Sequence, residues 1–180
     1  MRIVGGTAKG IRLAPVPDGT RPLSDRAREG LFSSLGEAVR GAAVLDLFAG
    51  TGAVAIEALS RGASTAVLVD SRSPAVRTAR DNLERTHLSD RARVVRMDSL
   101  KAVKSDMGVF DLVFLDPPYA LGREALEAIL REIEARGSVA RGGRVVVTRP
   151  NKSSMPVIPV DWSPDRRLSY GDAVVLVYQA

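Results

Sequence analysis

Short apolar runs alternate with amphipathic stretches through most of this chain, and this alternation restricts the possible folds more than any other feature. The apolar runs are rich in strand-forming residues and lie at 44–48, 65–69, 94–97, 110–115 and 144–148. Between these runs, apolar residues recur three or four positions apart, as on one face of a helix. One predicted helix ends at Arg61, and two others span Ser73 to Thr86 and Arg123 to Arg136. This order of elements predicts an α/β fold with a mostly parallel sheet and helices on both faces.

The start of the chain departs from this pattern. Arg2-Ile3-Val4 and Ile11-Arg12-Leu13 flank a turn at Gly5-Gly6, which predicts a small β-hairpin. An irregular connector rich in proline and glycine follows the hairpin. Residues 1–23 are therefore expected to form an extension with its connector, and residues 24–180 the main domain.

Two further elements complete the predicted fold. Ser24 is suited to cap a helix whose apolar face includes Ala27, Leu31 and Leu35, and Gly41 would end it. Near the end of the chain, the runs 166–170 and 173–178 flank Gly171-Asp172. This arrangement predicts an antiparallel hairpin that closes one edge of a seven-stranded sheet.

Charge and residue usage exclude several classes of protein. The net charge of +5 is mildly favourable for a polyanionic partner, although codon bias in a GC-rich genome also explains an excess of arginine. The chain has no cysteine and one histidine, which excludes disulfides and makes a cysteine or histidine metal site untenable. No apolar run approaches the ~18 residues of a membrane span, and no signal peptide is evident, so a cytoplasmic protein is expected.

The predicted extension carries most of its charge as cations. Arg2, Lys9, Arg12 and Arg21 oppose the single acid Asp18. A hairpin too small to own a core could use these side chains to grip a phosphate backbone. The same charges could instead protect a sheet edge from aggregation, and the sequence leaves both interpretations open.

A carboxylate stands at the end of each of four consecutive predicted strands. These are Asp46, Asp70, Asp98 and Asp116. Ligands of open α/β sheets bind outside the carboxyl ends of the strands, so these four acids are expected to face one ligand site.

The turn after the first strand is rich in glycine and lets the backbone approach a ligand closely. Gly50, Gly52 and Ala55 match the G-x-G-x-x-A pattern of dinucleotide-binding proteins, and Asp70 lies where a ribose-binding acid belongs. Asp46 beside the turn would repel a pyrophosphate but attract an ammonium or sulfonium group. Asp98 offers an acceptor for an adenine amine, or a cap for the segment that starts at Ser99. Together these features favour S-adenosylmethionine (SAM) over a dinucleotide.

The fourth strand leads into Asp116-Pro117-Pro118-Tyr119. Two prolines stiffen the loop and leave the Asp116 carboxylate and the Pro117 carbonyl as a rigid pair of acceptors for a ligand amine. Tyr119 adds a ring on which a planar base could stack. Taken alone, these four residues also suit a strand-ending turn with a packing tyrosine.

These segments resemble a known family. Asp46-Leu47-Phe48-Ala49-Gly50-Thr51-Gly52 and Asp116-Pro117-Pro118-Tyr119 resemble the cofactor and catalytic motifs of class I SAM-dependent amino-methyltransferases, which have a Rossmann-like fold. Further segments resemble one branch of this class, the bacterial small-subunit ribosomal RNA guanine-N2 methyltransferases (RsmD family). These segments are residues 2–6, Gly10, Arg21-Pro22, Ser24-Asp25-Arg26, Arg28-Glu29 and Tyr170-Gly171-Asp172. The resemblance spans nearly the whole chain.

The resemblance implies roles for named residues. The catalytic residues would be Asp116, Pro117 and Tyr119. The SAM-binding residues would be Asp46, Phe48, Ala49, Gly50, Gly52, Asp70, Ser71, Asp98 and Ser99, with no metal. The RNA-binding residues would be Arg2, Lys9, Arg12, Arg21 and Arg26. The partner would be small-subunit ribosomal RNA or the assembled 30S particle, bound by a monomer with no membrane association.

The chain departs from the family at the fifth strand. The family often carries a glutamate near the end of that strand, where this chain has Thr148-Arg149. The role of that acid is therefore unassigned here.

Other interpretations of the whole sequence are an adenine-N6 or cytosine-N4 methylase of DNA or RNA, a non-catalytic RNA-binding protein with this fold, and a nicotinamide oxidoreductase. The absence of a large target-recognition insertion argues against a sequence-reading DNA methylase.

Overall fold

Alternating apolar runs fold into a single mixed sheet with helices on both faces. The structure is a computed structural model that describes residues 1–15 and 23–180. In this part of the chain the helices are α1 (Asp25–Leu35), α2 (Ala53–Ser60), α3 (Ser73–Arg85), α4 (Ser99–Lys104) and α5 (Arg123–Ala135). The strands are β1 (Ala43–Asp46), β2 (Thr65–Asp70), β3 (Ala92–Arg96), β4 (Phe110–Leu115), β5 (Val139–Pro150), β6 (Ser163–Tyr170) and β7 (Ala173–Gln179).

The strand order confirms the predicted fold. The sheet runs β3-β2-β1-β4-β5-β7-β6. Strands β1 to β5 pair in parallel, whereas β7 is antiparallel to both β5 and β6. The chain order reverses between β1 and β4, which are neighbours in the sheet, and such a switch point is where open α/β sheets bind their ligands.

Each face of the sheet buries its own apolar cluster because successive strand residues point to opposite faces. Val44 of β1 packs with α1, α2 and the N-terminal extension, whereas the next residue, Leu45, packs with α4 and α5. The same alternation repeats in β5 at Val146 and Val147. Both faces are covered, which explains why these strands read as continuous apolar runs.

The N-terminal hairpin is held by a few hydrogen bonds and by burial of its apolar side chains. Arg2 and Arg12 form an isolated antiparallel bridge, and Ile3 N–H donates to the Ile11 carbonyl at 3.0 Å. Ile3 and Leu13 are buried in the cluster that contains α1 and α2. The extension therefore packs on the α1 and α2 face of the main domain.

Several boundaries and one element differ from the sequence-based expectation. The first α-helix ends at Leu35 and not near Gly41, because Gly36 takes a left-handed φ of 54° and the chain continues as a 3₁₀ turn over Gly36–Val39. The short helix α4 was not expected as an element. Strand β5 begins at Val139 and not at Arg144, because Val139 pairs with Phe110 across an irregularity in the register. None of the helices in the described residues has the length and apolarity needed to span a bilayer.

Candidate active site

A cavity of about 670 Å³ opens at the carboxyl ends of β1, β2 and β4. Its walls include all four strand-end acids that the sequence singles out, together with the loop that follows β4. The remaining predicted cofactor residues on its surface are Phe48, Ala49, Gly50, Ser71 and Ser99. The volume lies within the range of about 300–1,000 Å³ that is usual for small-molecule sites.

The turn after β1 has the tight geometry that its glycines allow. Gly50 and Gly52 have left-handed φ values of 53° and 78°, and Gly52 N–H donates to the Ala49 carbonyl at 2.7 Å. A Cβ on Gly52 would lie 3.0 Å from a methyl carbon of Leu68, which would have to shift, and the positive φ would strain any other residue there. Gly52 shapes the turn and starts α2, and Gly50 is the glycine that lines the cavity.

Asp70 ties this turn to the end of β2. Its Oδ2 accepts from Gly50 N–H and its Oδ1 accepts from Arg72 N–H, both at 2.9 Å. Arg72 Nε also approaches Oδ1 at 3.5 Å. A carboxylate can accept about four hydrogen bonds, so Oδ2, with one bond from Gly50, retains capacity for a ligand. The side chain is thus suited to hold the turn and to bind a ligand hydroxyl.

Asp46 is buried at the base of the cavity, with 2% of its surface exposed. Burial, reinforced by the charge of Asp116, raises the pKa of Asp46 to about 7, although the Phe48 N–H bond opposes the shift. A carboxylate in this position is stabilised by a cation, because a positive ligand group offsets both the burial and the neighbouring negative charge.

Asp98 and Ser99 have structural bonds besides their place on the cavity wall. Asp98 Oδ1 accepts from Lys101 N–H at 3.1 Å and caps α4. The buried Ser99 hydroxyl donates to the Leu47 carbonyl at 2.9 Å, which fixes α4 against the end of β1. The structure therefore shows that Asp98 caps a helix through Oδ1, and its contact with a ligand amine stays a prediction.

The loop after β4 presents its acceptors and its aromatic ring in the same cavity. Pro117 is buried, whereas Tyr119 is 56% exposed. Leu121 N–H donates to the Pro118 carbonyl at 2.8 Å, so Tyr119 lies at the tip of a turn. An exposed tyrosine at the mouth of a cavity is available to stack on a flat ligand.

Asp116 lies at the switch point, on the neighbouring strand to Asp46. Burial raises the pKa of Asp116 to about 6, and a hydrogen bond from the Thr148 hydroxyl lowers it against this effect. Thr148 is one residue beyond Val147, which pairs with Leu115, so the hydroxyl lies beside the carboxyl by strand register. Thr148 thus stands next to Asp116, and it is one of the two residues, Thr148-Arg149, at which the sequence departs from the pattern of the family it resembles.

Four of the basic residues predicted to bind RNA, Arg2, Lys9, Arg12 and Arg26, are exposed. Arg2 and Arg12 are cross-strand partners, and Lys9 lies in the turn between them. Arg26 is exposed in the first turn of α1, where Arg2 Nε approaches Asp25 Oδ2 at 3.9 Å. Arg21 lies outside the described residues. Leu23 and Arg28, which flank this start of α1, line the cavity, so the basic surface and the cavity meet there.

Three residues at or beside the site were given no role there by the sequence analysis. Thr148 needed the β4–β5 register to place it beside Asp116. Arg28 is fully buried and donates to the Leu23 carbonyl and to Asp25 Oδ1; its helical spacing from Leu31 could have indicated the buried face. Asn82 is fully buried beneath the glycine turn, and nothing in its local sequence indicates that location.

This arrangement can bind an elongated cation that carries a nucleoside and can hold an amine next to it. The buried acids favour a positive group, Asp70 can accept from a hydroxyl, and the rigid loop adds two acceptors and a flat ring. The described residues that line the cavity include no histidine or lysine, so the groups available for catalysis there are the positioning contacts, the charges and the Asp46 and Asp116 carboxyls, whose pKa values are raised.

Comparisons with known proteins agree with this geometry. The profile of the family described as "Conserved hypothetical protein 95" matches residues 1–179. "Ribosomal RNA small subunit methyltransferase D" of Escherichia coli K12 is 35% identical over 99% of this chain and 89% of its own length.

Solved structures match as well. The structure of the Escherichia coli protein yhhF superposes with a TM-score of 0.89 at 35% identity, over 99% of this chain and 97% of its own. The protein SMU.776, solved in complex with S-adenosylhomocysteine (SAH), shares the fold with a TM-score of 0.60 at 17% identity, over 82% of this chain and 48% of its own. Together, the family profile, the near full-length relatives and the shared fold show that this chain belongs to the ribosomal RNA small subunit methyltransferase D (RsmD) family.

Proposed function

We propose that the protein transfers a methyl group from SAM to the exocyclic N2 amine of a guanine in small-subunit ribosomal RNA. The observation that carries the proposal is the shared cavity. Asp116 and Tyr119 of the rigid loop line the same space as Asp46, Asp70 and the glycine turn. The name of the Escherichia coli relative supports ribosomal RNA as the substrate class.

The side chains that line the cavity fit SAM. The buried Asp46 carboxyl suits a cationic group, Asp70 retains acceptors for ribose hydroxyls, and Asp98 retains an acceptor for the adenine amine. Phe48 and Val54 supply apolar surface for the base. When bound, the sulfonium compound supplies an electrophilic methyl group.

The loop residues act on the amine. The Asp116 carboxylate and the Pro117 carbonyl accept one hydrogen bond each from the guanine amine and orient its nitrogen toward the cavity. Tyr119 stacks on the flipped base. The lone pair of such an amine is delocalised into the ring, and two acceptors that favour tetrahedral nitrogen make that pair available for in-line attack on the methyl carbon. The nitrogen–carbon bond would form as the carbon–sulfur bond breaks and SAH leaves, and the Asp116 carboxylate would take the proton that the nitrogen loses. One hydrogen bond from Thr148 keeps the Asp116 carboxyl oriented and favours its charged form.

In this proposal the basic hairpin binds the RNA backbone. Arg2, Lys9, Arg12 and Arg26 are exposed on the side of the molecule where α1 meets the cavity rim. Residues 1–23 then serve as an RNA-binding extension and residues 24–180 as the methyltransferase domain. The protein acts as a monomer in the cytoplasm on free RNA or on the assembled particle.

Nucleoside mass spectrometry tests the reaction directly. Purified protein is incubated with SAM and with either free small-subunit RNA or assembled 30S particles from cells that lack the gene. We expect N2-methylguanosine to form at one position in the wild-type reaction and not with Asp116→Ala. Formation of N6-methyladenosine or N4-methylcytidine instead would overturn the guanine assignment, and no methylated nucleoside at all would overturn the reaction.

Cofactor affinity should depend on pH through Asp46. In the cofactor-free protein the raised pKa of about 7 means that Asp46 is protonated below pH 7 and ionised above it. Only the ionised form attracts a cation, so binding displaces a proton at low pH. Between pH 8 and pH 6 we expect the Kd for SAM to rise about tenfold. Isothermal titration calorimetry across this range measures the effect.

The Asp46→Asn variant is the control for this pH dependence. It should bind SAM weakly at every pH and lose the tenfold change, because the carboxyl that titrates near pH 7 is gone. Any change that remains should lie near pH 6. Asp116 and Asp70 carry charge in the same cavity, and Asp116 titrates near the lower end of this range. A wild-type Kd that does not change between pH 6 and pH 8 would contradict the role given to Asp46.

Salt dependence tests the RNA-binding hairpin. Lys9→Ala combined with Arg12→Ala should weaken RNA binding and reduce the slope of log K against log salt by about 1.4–1.8, since two phosphate contacts are lost. Lys104→Ala combined with Arg131→Ala on α4 and α5, at the opposite face of the sheet, is the matched control and should keep the slope. An unaltered slope in the hairpin variant would return the hairpin to a purely structural role.

A further inference from the structure

Asn82 of α3 joins two parts of the molecule that are distant in sequence. Its side chain is fully buried. Oδ1 accepts from Ala14 N–H at 2.7 Å, and Nδ2 donates to the Ala14 carbonyl at 3.1 Å and to the Thr51 carbonyl at 2.9 Å. Both amide hydrogens and the amide oxygen are therefore used, and none of them faces solvent.

The two partners of Asn82 belong to the two proposed binding regions. Ala14 follows the second strand of the basic hairpin, directly after the buried Leu13. Thr51 lies between Gly50 and Gly52 in the turn that lines the cavity. One side chain thus links the backbone of the extension to the backbone of the cofactor turn.

The bonds of Asn82 differ from the other polar anchors of the extension. Val4 N–H donates to Glu57 Oε2 and Ala8 N–H donates to Ser60 Oγ, both at 2.9 Å, and these two acceptors lie on α2. Those bonds hold the tip of the hairpin on a regular helix. The Asn82 bonds instead reach the irregular turn, whose backbone position a ligand in the cavity would restrain.

We propose that Asn82 is a positioning residue that couples cofactor binding at the glycine turn to the ordering of the RNA-binding hairpin. The inference rests on the proposed function, since it takes the turn as the cofactor site and the hairpin as the RNA site. A ligand that restrains Thr51 strengthens its bond to Asn82, which in turn holds Ala14 and the adjoining hairpin strand. RNA then meets an ordered hairpin, and cofactor and RNA raise each other's affinity by the same factor.

Amide hydrogen exchange by NMR, with SAH as the probe, tests the coupling without turnover. The reporters are Ile3 and Leu13, whose amides donate to the carbonyls of Ile11 and Met1 and do not touch Asn82. In the wild-type protein SAH should slow exchange at both amides about tenfold. In Asn82→Ala the same saturating SAH should change it less than about twofold.

RNA affinity measured with and without SAH gives a second readout. The wild-type ratio of the two Kd values should be about tenfold, and the Asn82→Ala ratio close to one. Loss of a merely structural residue would weaken both affinities and leave their ratio unchanged. The ratio therefore separates coupling from general destabilisation.

Two further variants keep the test decisive. Thr86→Ala removes a buried hydroxyl directly after α3 that donates to the Asn82 and Leu83 carbonyls and not to the Asn82 side chain, and it should retain the wild-type ratio. Ala14→Pro removes the N–H that donates to Asn82 Oδ1 and also restricts φ at position 14, but it changes no residue of α3 or of the glycine turn. It should lower the ratio even if Asn82→Ala fails to fold.

The outcomes distinguish this inference from the proposed function. If SAH binds and slows exchange equally in wild type, Asn82→Ala and Ala14→Pro, the coupling is overturned while the proposed function stands. If SAH does not bind the wild-type protein at all, both are overturned. A tenfold effect in wild type and Thr86→Ala that is lost in the other two variants establishes the coupling.

Discussion

Asp116→Ala should lower kcat for methyl transfer about 10³-fold while the Kd for SAM stays within about threefold of wild type. The carboxylate is proposed to accept a hydrogen bond from the guanine amine. Without it the reacting nitrogen is no longer held in position, whereas the contacts to SAM remain. Single-turnover methylation at saturating RNA and SAM gives the rate, and calorimetry gives the Kd. Full activity in this variant would remove Asp116 from the mechanism.

The pH profile adds a second signature of Asp116. Because its pKa is raised to about 6, the carboxyl is protonated below that pH and cannot accept the amine hydrogen. The wild-type rate should therefore fall as the pH drops through 6. Thr148→Val removes a hydrogen bond that favours the charged form, so this limb should move to higher pH. Asp111→Ala is the matched control, since Asp111 is an exposed acid on the same strand but away from the cavity.

Asp70→Ala should weaken SAM binding about 100-fold, or about 2.7 kcal/mol. Two effects combine, since the carboxylate is proposed to accept from ribose and it also holds Gly50 N–H at 2.9 Å. Each hydrogen bond to a charged group contributes about 1.5–3 kcal/mol. Calorimetric titration measures the change, and Asp81→Ala, an exposed acid on α3, should leave the Kd unchanged.

A deoxyribose analogue of SAH separates the two effects of Asp70. If Asp70 binds the ribose hydroxyl, the analogue should bind wild type more weakly than SAH does, and this difference should disappear in Asp70→Ala. If the difference persists in the variant, Asp70 acts through the glycine turn alone. An unchanged Kd for SAM itself would contradict the ribose assignment outright.

Much of the fold was predictable because each strand and helix carries its own local pattern. The alternation between residues 44 and 148 and the hairpin at 166–178 predicted the seven-stranded mixed sheet that the structure confirms. The ends of helices and strands were predicted less well where they depend on backbone conformation or on pairing with a distant strand. Gly36 ends α1 through its left-handed φ, and the start of β5 depends on its pairing with Phe110, a contact that no local pattern encodes.

The candidate site divides in the same way. Asp46, Asp70, Asp98 and Asp116 could be grouped from the sequence, because parallel strands bring their carboxyl ends to one edge of the sheet. Their separate bonding could not be inferred. The cap that Asp98 forms on α4 and the grip of Asp70 on Gly50 both depend on the local path of the backbone.

The order of apolar runs and of the acids after them was enough to determine the architecture, the ligand-binding edge and the loop with its rigid acceptors. Tertiary structure alone decided which distant groups meet there: Thr148 beside Asp116, and Asn82 between Ala14 and Thr51. The physical reason is that periodicity reports which side of an element is buried, whereas a hydrogen bond between distant segments depends on strand register and helix placement. Those are set only when the whole core has packed.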